Sequence, residues 1–312
     1  MRVIITGGTG LIGRSLAQRL ASQRDEVIVL SRDPRRAAQI FSQHGLTNIQ
    51  TVGWDATSAQ EWGKLITRES AIVNLAGATP AHWRWTRSYR IRILESRVHV
   101  GQAVMQAIER YGPPEVLVQA SASGYYGDRG QELLTEASSP GQGFRAKVCQ
   151  EWEASTAQTQ ARRCIIRTGL VLDLHEGAFP SLLHFAHLMG SQIGNGRQWI
   201  PWIHKADVAK AICLLLEQRM LSGPFNLCAP QAVTNQDFLC AVRHILHRPA
   251  VFPLPGFVLR ACLGELATVM LDSQHLLPER LTETGFQFLY PHLKQALDDL
   301  LRRKKSVPSE RS

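Results

Sequence analysis

"RVIITGGTGLIGRSL", residues 2–16, decides the fold. A short run of β-branched residues leads straight into glycines at 7, 10 and 13, after which Ile12, Leu16 and Leu20 recur at helical spacing. A strand, a tight glycine turn and an amphipathic helix, in that order, form the opening unit of a doubly wound α/β sheet. Each glycine has a mechanical reason. Gly7 allows the tight turn, Gly10 lets the backbone approach a pyrophosphate, and Gly13 permits close packing of helix on strand. The helix start then offers unpaired N–H groups to the phosphates. The expected ligand is therefore a dinucleotide, contacted by Gly7, Thr9, Gly10, Leu11, Ile12 and Gly13.

Outward from this unit, strand-like runs alternate with helix-length segments. "RVIIT" (2–6), "EVIVL" (26–30), "IQTVGW" (49–54), "AIVNLAG" (71–77), "EVLVQAS" (115–121) and "RCIIRTG" (163–169) are short, rich in β-branched residues and bounded by turn formers. Between the fourth and fifth runs, residues 87–109 place Ile91, Leu94, Val98, Gly101, Met105 and Ile108 at spacings of three and four, predicting a long helix with one stripe against a sheet. Such alternation predicts a parallel, doubly wound sheet. Beyond about residue 170 the regularity fades. "SLLHFAHLMG", "KADVAKAICLLLEQ", "NQDFLCAVRHIL" and "HLKQALDDLLRR" read as helices joined by Pro- and Gly-rich connections. The expected division is a nucleotide-binding domain over 1–230 with interleaved substrate-facing segments, then a small, mainly helical C-terminal subdomain and tail over 231–312.

Composition narrows the function classes. With 312 residues and 44% hydrophobic content, the chain can bury one large α/β core with an appended subdomain. No apolar run approaches the roughly 18 to 20 residues of a membrane helix, and "MRVIITGG" enters structure at once, so neither a membrane nor a targeting segment is expected. The net charge of +9 is concentrated in "WRWTRSYRIR" and "LRRKKSVPSERS", with no nucleic-acid motif beside it; no specific nucleic acid is expected. Six cysteines are spread without metal-type clustering, which predicts buried free thiols in a reducing cytoplasm and no metal. A small-molecule substrate is the expected partner, and a homodimer is compatible with this composition.

The end of the second strand selects among dinucleotides. An NAD-selective site places a carboxylate there, on the ribose 2′-hydroxyl. Here "LSRDPRR" puts Ser31 and Arg32 at that point, a hydroxyl and a guanidinium suited to a 2′-phosphate, with Arg35 or Arg36 in support. The expected cofactor is NADP (NADPH). Asp33 reads as a cap for a helix starting near Pro34. On the same edge, Asp55 can meet the adenine amino group, and Asn74, Leu75, Ala76 and Gly77 can run along the ribose.

"TGGTGLIG", "NLAGA", "SASGYYGDRG", "RTGLVL", "GNGRQWIPWIHKAD", "GPFNLCAP" and "GFQFLYPHLKQAL" together resemble, almost end to end, the epimerase-like, atypical short-chain dehydrogenase/reductase family with a small C-terminal domain of unassigned function. The resemblance implies an extended Rossmann-type domain, NADP, and an oxidoreductase or nucleotide-sugar epimerase ancestry without a substrate. In active relatives of that superfamily a serine or threonine polarises the substrate oxygen and a tyrosine acts as acid or base. A lysine four residues on lowers the tyrosine's pKa and holds the nicotinamide ribose. Ser121 matches the serine, with Ser123 beside it, but in "GFRAKVCQEWEAS" Arg145 falls at the tyrosine position and Cys149 at the lysine position. The dyad is missing. Tyr125 and Tyr126 are the nearest replacements, set against a packing role for both. Lys147 reads as a solvated helix residue, and the literal Tyr290-x-x-x-Lys294 lies at a helix boundary made by Pro291. Arg197, Trp199 and His204 are candidate substrate contacts. Against that stands the alternative that Trp199 and Trp202 staple the C-terminal subdomain while His204 and Asp207 organise the next helix. Arg84, Arg87 and Arg90 form a basic helix entrance. Two functions follow: an NADP-dependent, epimerase-like oxidoreductase lacking the dyad, or a catalytically silent NADP(H)-binding sensor.

Overall fold

Strand β1 (Arg2–Thr6), with Val3, Ile4 and Ile5 wholly buried, lies inside a parallel sheet of seven strands. The computed structural model describes residues 1–59, 61–79, 85–188, 192–246 and 254–306, the side chains of 185–188, 246 and 302–306 excepted. The other strands are β2 (Glu26–Ser31), β3 (Gln50–Gly53), β4 (Ser70–Asn74), β5 (Val116–Ala122), β6 (Arg162–Thr168) and β7 (Gly223–Leu227). Their order across the sheet is β7-β6-β5-β4-β1-β2-β3. The direction of winding reverses between β1 and β4, and the carboxyl ends of these strands open there into the crevice where doubly wound folds bind ligands. The Rossmann-type expectation is met.

The strand alternation explains the two faces. Val3, Ile5, Val27 and Val29 meet Leu16 and Leu20 of α1 (Leu11–Ser22) and Val208, Ile212 and Leu215 of α6 (Lys205–Glu217). Ile4, Ile28, Ile72 and Leu117 point the other way, onto Val100, Val104 and Ala107 of α3 (Arg87–Tyr111). Helices α2 (Pro34–Gln43), α4 (Phe144–Ala154) and α5 (Phe179–Leu188) complete the connections.

Two sequence expectations need correction here. On α3 the buried residues are Ile93, Val100, Gly101, Ala103, Val104, Ala107 and Ile108, whereas Ile91, predicted on the stripe, is 47% exposed. The sheet selects small residues that allow close approach, so the stripe is rotated from the one the large side chains suggested. The second correction is β7, which opens with Gly223 and Pro224 and reads as a loop in sequence. Among the described residues it is an edge strand paired with β6, where Pro is tolerated.

A second core sits under the C-terminal half. Phe179 and Leu182 of α5 pack with Phe238, Leu239 and Val242 of α7 (Asn235–Leu246) and Leu259 of α8 (Gly256–Leu263), and Leu297 and Leu300 of α11 (Leu293–Ser306) close the cluster. Trp202 is buried in this core and donates to the Gln231 carbonyl, which is the stapling role. Between α8 and α11 run the short α9 (Thr268–Leu271) and α10 (Glu279–Glu283). All six cysteines are free; Cys240 and Cys262 are exposed, contrary to a uniformly buried set.

Candidate active site and cofactor cleft

The glycine turn has the geometry its sequence predicts. Gly7 has φ +66°, and a Cβ on it would stand 2.9 Å from the Leu75 carbonyl and the Ala76 nitrogen. A Cβ on Gly13 would lie 2.5 Å from both the Gly7 oxygen and the Gly8 Cα, so α1 touches the turn through backbone alone. Gly10 caps α1 without a side-chain bond, and no acidic residue stands in the helix's first turn. The positive end of the helix therefore faces the crevice uncompensated by a side chain. Thr9, Leu11 and Ile12 line this turn. Arg14 ties Glu176 at 2.5 Å, bringing the segment after β6 across it, with Gly177 against Leu11.

At the end of β2, Ser31 Oγ donates to the Asp33 carbonyl at 3.0 Å and accepts from the Asp33 N–H. Asp33 in turn accepts from the Arg36 N–H at 2.9 Å and caps α2. Its carboxylate is thus spent on the helix, while Arg32, Arg35 and Arg36 stay exposed. Asp55 accepts from the Thr57 and Ser58 N–H groups, both at 2.9 Å and both on Oδ1, and these bonds pull its pKa down to about 2. Its Oδ2 carries none of them.

Asn74 behaves differently from expectation. It is fully buried, its Oδ1 accepts from Thr6 Oγ1 at 2.6 Å, and its Nδ2 donates to Gln119 Oε1 at 2.9 Å. Thr6 Oγ1 also accepts from the Leu75 and Ala76 N–H groups at 3.2 Å. The Asn74 side chain thus locks β1, β4 and β5 together, and the groups left at the crevice belong to Leu75, Ala76 and Gly77.

Beyond β5 the expected catalytic residues enter a buried polar network. Ser121 Oγ donates to Glu153 Oε1 at 2.6 Å; Glu153 in turn holds Arg167 bidentately, Nε and Nη2 each at 3.0 Å. Arg167 Nη1 donates to the Tyr126 hydroxyl at 3.0 Å, and that hydroxyl donates to Asn226 Oδ1 at 2.7 Å. Asn226 N–H meets Glu136 Oε1 at 2.8 Å. Burial pushes the Tyr126 hydroxyl up to about 12, even against the Arg167 cation. Its proton is therefore held more tightly than that of a free tyrosine. Tyr125 is only partly buried and lies under the Arg167 guanidinium, 3.4 Å from its ring centre. Ser123 forms no hydroxyl hydrogen bond among the described residues. Sequence reasoning missed Glu153 and Arg167 as partners, although both stood in quoted motifs; their pairing joins α4 to β6.

On α4, Arg145 and Cys149 both face the turn after β5. A Cβ on Gly124 would lie 3.3 Å from Arg145 Cβ and 3.5 Å from the Cys149 sulfur. Burial pushes the Cys149 thiol up, with Arg145 pulling the other way. Arg145 pairs with Asp272 at 3.1 Å and donates to the Thr268 carbonyl at 3.2 Å, tying α4 to α9. Arg90 makes a parallel tie to Glu265 at 2.6 Å. Arg84 lies outside the described residues.

The pattern of the NAD dependent epimerase/dehydratase family matches residues 3–228. The chain belongs to this family. A domain of unknown function, DUF1731, matches residues 254–300. Over 308 residues the chain is 36% identical to an epimerase family protein of Arabidopsis thaliana, the chloroplastic SDR39U1 homolog, covering 97% of this chain and 87% of that one. It is 33% identical to epimerase family protein YfhF of Bacillus subtilis, over 98% of this chain and 100% of that one. Among solved structures, human epimerase family protein SDR39U1 (isoform 2) with NADPH superposes with a TM-score of 0.84 at 30% identity, over 97% of this chain and 99% of that one.

In this epimerase-family chain the expected substrate segment joins the two halves. Trp199 stacks on His275 at 3.9 Å, and its Nε1 donates to Gln131 at 2.8 Å. Arg197 is exposed. His204 is fully buried, accepts the Ala206 N–H at the start of α6, and faces Asp299 at 3.4 Å, so it organises the joint and does not reach the cleft. Asp207 accepts the N–H groups of Leu289 at 2.7 Å and Tyr290 at 3.0 Å. Lys294 points outward to Asp298, so Tyr290 and Lys294 form no dyad, and Lys147 is exposed as expected. A surface groove of about 850 Å³ between Arg2, Arg24, Glu69 and Glu115 opens at the amino ends of the strands, opposite this cleft. No group of three or more potential metal ligands is found among the described residues, and none of their helices is long and apolar enough to cross a membrane.

Proposed function

We propose that the protein binds NADP(H) and acts as an epimerase-like oxidoreductase on a small carbonyl or hydroxyl compound or a nucleotide-sugar-like molecule. The observation that carries the cofactor half is the end of β2, where an Asp33 carboxylate oxygen caps α2 and Arg32 stays exposed for a 2′-phosphate, with Ser31 joining by exchanging its bond to the Asp33 carbonyl. The human relative solved with NADPH supports it. The residues fit the cofactor: the Gly7–Gly13 turn for the pyrophosphate, Asp55 for the adenine, and the backbone of Leu75–Gly77 for the ribose. The nicotinamide, when bound, supplies or accepts a hydride. Tyr125 is the tyrosine proposed to touch substrate. Ser121 joins it only by exchanging its Glu153 bond, because its single proton is already donated. Free thiols at all six cysteines suit a reducing, cytoplasm-like compartment.

The same observation about Ser121 and Tyr126 favours a second reading. With both hydroxyls committed to structure, the protein would be an NADP(H) sensor, and the Arg145–Asp272 and Arg90–Glu265 ties would carry cofactor occupancy to the C-terminal unit.

Calorimetry tests the cofactor. NADPH is expected to bind about 10- to 100-fold more tightly than NADH, the usual worth of hydrogen bonds to a charged group. Arg32→Ala should remove most of that difference and leave NADH binding nearly unchanged; equal affinities in the wild type would sink the assignment. Loss of NADPH absorbance across a panel of carbonyl and nucleotide-sugar compounds separates enzyme from sensor.

A further inference from the structure

The missing dyad did two things in active relatives: the tyrosine moved a proton, and the lysine held the ribose beside the nicotinamide. Cys149 fills the lysine position with a buried thiol that offers no charge. A cation nevertheless stands beside it. Arg97 of α3 packs its guanidinium 4.9 Å from the ring of Trp152, three residues beyond Cys149 on α4. Its other neighbour is the loop after β4. A Cβ on Gly77 would stand 3.1 Å from Arg97 Cγ and 3.2 Å from Cζ, and Ser96 straps the same loop by accepting the Ala78 N–H at 2.9 Å.

Arg97 is also short of partners. Among the described residues its side chain donates to its own helix, from Nη1 to the Ile93 carbonyl at 2.9 Å, and forms no ion pair. The other arginine beside Cys149, Arg145, has Asp272. Burial works against the Arg97 charge. A guanidinium carries five N–H donors, so most of its hydrogen-bonding capacity is left for a ligand in the cleft.

We infer that Arg97 has taken over the ribose-holding half of the lysine's work, donating from α3 to the hydroxyls of the nicotinamide ribose where the lysine would have donated from α4. A fixed fork suits two adjacent hydroxyls, but a guanidinium does not deprotonate and cannot relay a proton. The cleft therefore keeps cofactor-holding chemistry and loses the proton relay. A Cβ at Gly77 would crowd the guanidinium, so glycine there leaves the fork its room. This inference rests on the proposed NADP(H) binding.

Calorimetry on the full chain, with two ligands, distinguishes the two. NADPH contains the nicotinamide ribose; adenosine 2′,5′-bisphosphate does not. Arg97→Met, which keeps an unbranched apolar side chain and removes the guanidinium, is expected to weaken NADPH by about tenfold or more and to leave the bisphosphate within about twofold. Cys149→Lys added to Arg97→Met should restore much of the NADPH affinity by returning a cation from α4. If NADPH binding by Arg97→Met stays within about twofold of wild type, or both ligands weaken alike, the inference is wrong while the cofactor reading stands. If wild-type protein binds neither ligand, both fall. Should Arg97→Met not fold, Arg97→Lys carries the test: a point charge in place of the fork should weaken NADPH about threefold or more with the bisphosphate unchanged, and equal effects on both would overturn the inference.

Discussion

The Tyr126 hydroxyl sits between Arg167 at 3.0 Å and Asn226 at 2.7 Å, and its ring is wholly excluded from water. Its neighbour Tyr125 offers its ring to the same guanidinium but stays partly open to solvent. In sequence the two are equivalent; the backbone turn over Ser123–Tyr126 separates them. The difference has a pH signature. Because the folded value for Tyr126 is raised from 10.0 to about 12, the folded state holds that proton more tightly than the unfolded chain. Its contribution is therefore fully present below pH 10 and is lost as pH rises toward 12, a fall of roughly 2 to 3 kcal/mol across that window. Alkaline unfolding monitored by circular dichroism should show this loss, and Tyr126→Phe should flatten it while lowering stability by about 1 to 2 kcal/mol at neutral pH. A tyrosinate titration with all five tyrosines ionising near pH 10 would contradict the buried assignment.

Elements meet through what their residues leave out. At the β1–α1 turn, the absence of a Cβ at Gly13 lets backbone touch backbone. Gly13→Ala cannot be accommodated by a rotamer change, since the colliding atoms are the Gly7 oxygen and the Gly8 Cα, 2.5 Å away. The variant is expected to lose about 1 to 3 kcal/mol in urea unfolding and to bind NADPH more weakly, because the helix end must move from the phosphate position. Unchanged stability would mean that α1 and the turn are not packed as described. The same logic explains why the α3 stripe was misread. Periodicity marks large apolar residues, but Gly101, Ala103 and Ala107 carry the close approach, and Ile91 was free to face outward.

The whole molecule depends on a few polar ties between the sheet and the C-terminal elements. Arg145 and Asp272 sit at 3.1 Å, with side chains 19% and 17% exposed. Burial pushes the Asp272 carboxyl up and Arg145 pulls it back, so removing the arginine takes away part of what keeps the carboxylate charged. A double-mutant cycle with Arg145→Ala and Asp272→Ala should give a coupling of about 1 kcal/mol in urea unfolding. Additive single-site effects would show that the tie contributes nothing to joining the two parts.

The glycine spacing of "TGGTGLIG" and the alternation of apolar runs with helices are local patterns, and the sequence by itself determined from them the doubly wound sheet and its crevice. Local pattern carries this because strand, turn and helix are set by residues a few positions apart. The fates of Ser121, Asn74, Tyr126 and His204 are set by Glu153, Gln119, Arg167 and Asp299, partners between 32 and 95 residues away in sequence. A hydroxyl or imidazole reads the same in sequence whether it faces a substrate or a buried partner. Only the packing of α4, β5, β6 and α11 against these side chains decided which partners they hold, and only the approach of α3 to the loop after β4 set the Arg97 guanidinium against Gly77.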